Sequence, residues 1–142
     1  MNETATPAPL AFLMLGTVHE MEAQLESALG RVGLSLAKFG VLAKLAEAGE
    51  PLALGCLAER CSCVRSNMTQ LIDRLETDKL VERVDDPNDR RSIKAALTAE
   101  GRSRYEEGVQ LLDEAEREVF ARLADPERAT LSRLLRSLQK SP

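Results

Sequence analysis

Apolar residues recur at steps of three and four through most of the chain. Leu10, Met14, Val18, Met21, Leu25 and Ala28 predict a helix of about five turns, closed by Gly30 and Gly33. Phe12, Leu13 and Leu15 flank that stripe, so the first half is apolar on more than one side. Such a helix must be buried in a core or against a partner chain. Residues 1–8 read as a loose arm. Ser35 is placed to cap a second helix with Leu36, Phe39, Leu42 and Leu45 inside, stopped by Gly49 and Pro51. A short third helix is expected over Leu54–Arg60. A fourth runs from near Cys63 to Thr77, with Val64, Met68, Leu71, Ile72 and Leu75 on one side.

The period then changes. Leu80–Val84 reads as a short strand and Asp85–Arg91 as a polar loop; Ile93, Ala95 and Leu97, alternating with Ser92, Lys94 and Ala96, read as a second strand. Thr98 caps a long helix whose stripe is Tyr105, Val109, Leu112, Val119, Phe120 and Leu123. Asp125-Pro126-Glu127 starts a last helix, with Asp125 as N-cap and Leu131, Leu134, Leu135 and Leu138 lining it. The fold class is mostly α with a small β-hairpin wing (α+β). Three compact helices followed by a hairpin is the order of a winged helix-turn-helix.

Composition narrows the function. With 142 residues, 44% hydrophobic and 30% charged, the chain suits one ordinary globular domain. Three Phe, one Tyr and no Trp argue against an aromatic platform for stacking bases. A net charge of −4 is unusual for a DNA-binding chain, but residues 1–30 hold four acids and no Lys or Arg. From Arg60 to Ile72 there are two arginines and no acid. The N-terminus lacks a basic signal region, and the longest apolar run, Leu10–Leu15, is too short to span a bilayer, so a cytoplasmic chain with no membrane role is expected. Three cysteines within eight positions do not suggest a disulfide framework, and one histidine is too few for a His-rich zinc site. No nucleophile–base pairing, metal cluster or Gly-rich phosphate loop is visible, so neither enzyme, cofactor nor metal is expected.

The fourth helix carries the candidate chemistry. Opposite its apolar side lie Ser66, Thr69, Gln70 and Asp73, flanked by Arg65, Asn67 and Arg74. Gln and Asn pair bidentately with adenine and Arg with guanine, while Ser and Thr hold phosphates or bases. The plainer reading is an ordinary polar helix face. Arg90 and Arg91, adjacent at the hairpin tip, are poor core residues and good phosphate or minor-groove ligands; the plainer reading there is a solvated turn with local ion pairs.

Leu57-Ala58-Glu59-Arg60, the run from Arg65 to Glu76, Leu80-Val81-Glu82-Arg83, Asp86-Pro87-Asn88-Asp89-Arg90-Arg91 and Leu97-Thr98-Ala99-Glu100-Gly101-Arg102 together resemble the MarR family of bacterial transcriptional regulators. The resemblance is strongest over residues 57–102. It implies a homodimer on a pseudo-palindromic double-stranded DNA operator. A winged helix lobe would span 35–97, and a dimerisation lobe 8–30 and 98–140, within a single domain. The resemblance places Arg65, Ser66, Asn67, Thr69 and Gln70 on the recognition helix. It makes Arg91, positioned by Asp89, the arginine that enters the minor groove, with Arg90 beside it, and gives Arg74 a supporting role. It also implies a small anionic or aromatic effector in a crevice between the lobes, with His19, Phe39 and Tyr105 as candidates; a lone mid-helix His and two core aromatics explain the same residues. Two departures concern the third helix: Ala53 stands where a capping Thr is usual, and Cys56, Cys61 and Cys63 stand where polar or aliphatic residues are common.

The cysteines suggest an alternative, a thiol-based redox sensor in which Arg60, Arg65 and the helix N-terminus lower a thiol pKa. Against it, buried cysteines usually behave as small hydrophobes. A second alternative is a helical protein-interaction domain that has lost DNA reading.

Overall fold

The structure, a computed structural model, describes residues 9–61, 63 and 65–139. Along them run α1 (Leu10–Gly30), α2 (Leu36–Ala48), β1 (Leu52–Ala53), α3 (Leu54–Arg60), α4 (Arg65–Thr77), β2 (Val81–Asp86), β3 (Asp89–Leu97), α5 (Ala99–Phe120) and α6 (Asp125–Leu138). Val64, expected on the apolar side of α4, lies outside the described residues, as does the side chain of Arg65.

Local chemistry sets the helix ends. Ser35 Oγ accepts from Lys38 N–H at 3.1 Å, and Glu26 Oε1 reaches across from α1 to accept from Leu36 N–H at 3.0 Å. Two free donors of the α2 N-terminus are thereby satisfied. Gly49 ends α2 at φ 65°, a left-handed conformation that costs glycine least. Helix α3 starts at Ala53 without a side-chain cap, as its sequence implies. Thr98 Oγ1 accepts from Gly101 N–H at 2.9 Å and donates to the Lys79 carbonyl at 2.7 Å. For α6 the expectation shifts by one residue. The N-cap is Ala124, whose N–H donates to Glu127 Oε1 at 2.9 Å, because the Asp125 carboxylate is already engaged by Arg128.

The sheet has order β1-β3-β2, all antiparallel. Two-residue β1, with Leu52 opposite Ala95, is too short to leave a period and was not expected. The hairpin also departs from the expected long loop. Strand β2 continues to Asp86 and β3 begins at Asp89, leaving a two-residue turn of Pro87 and Asn88. Asp85 pairs with Ile93 but Asp86 pairs with Asp89, so Arg90, Arg91 and Ser92 form a bulge on β3. Two side-chain bonds shape this tip: Asp86 Oδ1 accepts from Asn88 N–H and Asp89 Oδ1 from Arg91 N–H, both at 2.9 Å.

The core lies inside the winged lobe. Val41, Leu42, Leu45, Leu57, Met68, Ile72, Leu75, Leu80 and Val81 are fully buried there, with Leu29 from the end of α1. Helices α1 and α5 run antiparallel, with Leu29 beside Gly108 and Met21 and Leu25 beside Leu112, Val119 and Phe120. The large apolar side chains in the first half of α1 are mostly uncovered in the single protomer. Leu10, Phe12, Leu13 and Leu15 are 59–76% exposed, and Leu138 of α6 is 68% exposed. Helix α6 buries no residue at all.

Candidate nucleic-acid interface

Helix α4 divides cleanly by burial. Met68, Ile72 and Leu75 have no exposed surface, which fixes the helix by one face against the core. Ser66, Asn67, Thr69, Gln70, Asp73 and Arg74 are exposed on the rest. The polar residues expected to read bases therefore share an outward face, presented by a helix whose other side cannot rotate away without exposing buried methionine and leucine.

Arg90 and Arg91 are exposed on the bulge of β3, not in an open loop. Asp89 does position Arg91, but by accepting its backbone N–H; the guanidinium is left clear. Among the described residues neither guanidinium is in an ion pair. Two cations held on a shaped backbone, with their charge not yet neutralised, can meet phosphates or a narrow minor groove. Arg74 is likewise exposed in the last turn of α4 and in no ion pair among the described residues.

A further basic residue does have partners. Arg83, on β2, donates to Glu76 Oε1 at 2.9 Å and to Asp73 Oδ1, and its backbone N–H donates to Glu76 Oε2 at 2.9 Å. The hydrogen bond to Asp73, joined by that to Glu76, raises its pKa above the ordinary guanidinium range despite some desolvation. Reading by face missed this residue, because Arg83 stands on a strand and its acids on a helix. The available signal was two acids three residues apart on α4, followed after a turn by one arginine. Lys38 makes a second link, 2.9 Å from Asp78 at the end of α4, tying α2 to the same turn.

Of the three effector candidates, His19 stands apart from the other two. Phe39 and Tyr105 stack with ring centres 5.4 Å apart, and Phe39 also packs against Gly108, so both fill the α2–α5 junction. His19 is exposed at the middle of α1, two residues before Met21, whose neighbours on α5 are Val119 and Phe120. Tyr105 is fourteen residues from Val119, about 21 Å along a helix.

Cys56, Cys61 and Cys63 are in no disulfide among the described residues, and are half-buried and packed on the core. The expected lowering of a thiol pKa does not hold for Cys61. Burial pushes it up, Lys44 only partly opposes this, and Cys63 adds to the rise. Among the described residues no group of His, Cys, Asp and Glu is placed to hold a metal ion, and no helix is long and apolar enough to cross a membrane.

A helix with one buried and one polar face, set beside an arginine-bearing hairpin, defines a winged helix DNA-binding protein. The chain belongs to the MarR family, whose sequence profile matches residues 34–93. It is 33% identical over 111 residues to the HTH-type transcriptional regulator YsmB of Bacillus subtilis, covering 78% of this chain and 75% of that one. Its fold is similar to that of a mutant Escherichia coli MarR complexed with operator DNA, with a TM-score of 0.83 and 27% identity over 93% of this chain and 94% of that one. It is also similar to Bordetella bronchiseptica BpsR, whose DNA binding is regulated by 6-hydroxynicotinic acid (TM-score 0.80, 26% identity, 92% and 98% covered).

Proposed function

We propose that two copies of this chain form a homodimer that binds a pseudo-palindromic operator and represses transcription until a small anionic or aromatic effector releases it. The observation that carries this reading is the pairing of the polar face of α4 with the unneutralised Arg90 and Arg91 on the neighbouring bulge. Residues 35–97 make the DNA-binding lobe; residues 8–30 and 98–140 make the dimerisation lobe. Arg65, Ser66, Asn67, Thr69 and Gln70 enter the major groove, Arg91 the minor groove, and Arg90 and Arg74 support them from the backbone side. The exposed apolar side chains of α1 and α6 supply the surface for the second copy. Effector release is a two-state bias: the ligand must prefer a lobe spacing that does not fit DNA. The reading gives the chain no catalytic role and sets it in the cytoplasm, with the DNA.

Selection of duplexes from a random-sequence pool by the full-length protein tests it. An inverted repeat should be enriched, and 6-hydroxynicotinic acid or a related aromatic acid should release it. A pool that stays random would overturn the DNA-reading function and leave a protein-interaction domain in its place.

A further inference from the structure

Arg83 holds both carboxylates that α4 presents towards its wing, and it holds one of them twice. Its guanidinium joins Glu76 Oε1 at 2.9 Å and Asp73 Oδ1, while Glu76 Oε2 takes its backbone N–H at 2.9 Å. The three bonds lock strand β2 to the second half of α4 at a fixed angle and height. Strand β2 in turn carries β3, through continuous pairing from Val81–Leu97 to Asp85–Ile93. The bulge bearing Arg90 and Arg91 is therefore registered against Thr69 and Gln70, which lie four and three residues before Asp73, one helical turn away.

We infer that Arg83 is a specificity-determining positioning residue, which makes the recognition helix and the wing a single rigid reader of two adjacent grooves. This rests on the DNA-binding reading above. Two contacts on one rigid body need only one docking geometry. Two contacts on bodies that move against each other each carry their own ordering cost, and a wrong sequence can be met by adjusting one of them. The clamp should thus contribute to discrimination between sequences, with little effect on the affinity for arbitrary DNA.

The sign of one substitution separates this from plain electrostatics. Asp73 is an acid on a DNA-facing helix, so Asp73→Asn taken alone should help DNA binding. If the clamp sets the geometry, the same change removes a partner of Arg83 and lowers preference for the selected sequence.

The test uses the full-length protein, the duplex it selects from a random pool, and an unrelated duplex of equal length. Fluorescence anisotropy is read at one salt concentration, with thermal melting alongside. For Asp73→Asn and Arg83→Met the ratio of selected to unrelated affinity should fall about tenfold or more, while unrelated binding holds within threefold or, for Asp73→Asn, rises. Arg83→Lys, which keeps a charge but not the fork, should recover only part of the ratio. An unchanged ratio in Asp73→Asn, or an equal loss on both duplexes in Arg83→Met with an unchanged melting temperature, would overturn the inference while leaving the DNA-binding function intact. A wild-type protein that selects no sequence would instead remove the function on which the inference rests.

Discussion

Three arginines on the wing do two different things. Arg83 is paired with Asp73 and Glu76, while Arg90 and Arg91 are exposed and, among the described residues, in no ion pair. Exposed ion pairs are each worth under about 1 kcal/mol, so Arg83 matters through geometry more than through stability. Arg91 should matter through affinity. Arg91→Ala should weaken operator binding about tenfold or more and lower the slope of log K against log salt by about 1, read by anisotropy titrations across salt concentrations. Cys61 makes the opposite kind of prediction. Its raised pKa leaves it protonated at neutral pH, so alkylation at Cys61 should be slower than at an unstructured thiol, as mass spectrometry of the intact protein would show. Mild peroxide should leave operator affinity unchanged; a loss reversed by thiol reductant would revive the redox reading. Gly101 is the third informative residue. An added Cβ would lie 2.0 Å from the Leu80 carbonyl oxygen, which is backbone and cannot swing away. Gly101→Ala should destabilise the fold by about 3 kcal/mol or more in urea unfolding.

At the scale of elements, much of the fold was legible because caps and stripes are local. Ser35, Gly49 and Thr98 end their helices as their side chains and φ preferences require. What the sequence left hidden was set by pairing across the chain. Strand β1 exists only because Leu52 and Ala53 meet Ala95 and Lys94. Two strands held by a Pro87–Asn88 turn replace the expected seven-residue loop, because Asp86 and Asp89 bond backbone N–H groups and let the ladder run to the tip. Polar composition marked the segment correctly as exposed but concealed its regular backbone. The face of α4 was readable from its apolar spacing, whereas the clamp by Arg83 needed the strand's position. His19 stands apart from the stacked Phe39 and Tyr105 for the same reason: Tyr105 lies in the first half of α5, whereas mid-α1, where His19 sits, meets the last turns of α5. The step from the hairpin into α5 is fixed by backbone as well as by side chain. Thr98 N–H donates to the Leu80 carbonyl at 3.2 Å, Thr98 Oγ1 donates to the Lys79 carbonyl, and Lys79 is held at φ 63°. Thr98→Ala removes both the cap of α5 and that bond to Lys79, and should cost about 1–2 kcal/mol in the same unfolding assay.

At the scale of the molecule, the net charge of −4 and the DNA-binding surface fit together once they are separated in space. Four of the acids belong to residues 1–30, whereas Arg90, Arg91 and Arg74 stand on the winged lobe. On the proposed reading, affinity should depend on a few placed arginines and on the shape of the operator more than on a broad basic field. The same N-terminal helix explains the assembly. A 21-residue helix that buries only Leu29 in one protomer is stable when a second copy covers the rest. Leu15→Glu combined with Leu134→Glu should give a monomer by light scattering and abolish tight operator binding, because one protomer reaches only one half-site.

Two rigid winged lobes that read one operator symmetrically protect two equivalent half-sites. Hydroxyl-radical footprinting of the selected duplex tests this most directly. Two identical protected regions should appear, related by a dyad and centred about 34–36 Å apart or a multiple of that, each with a minor-groove patch that disappears in Arg91→Ala. A single asymmetric footprint, or one unaltered by Arg91→Ala, would contradict the account.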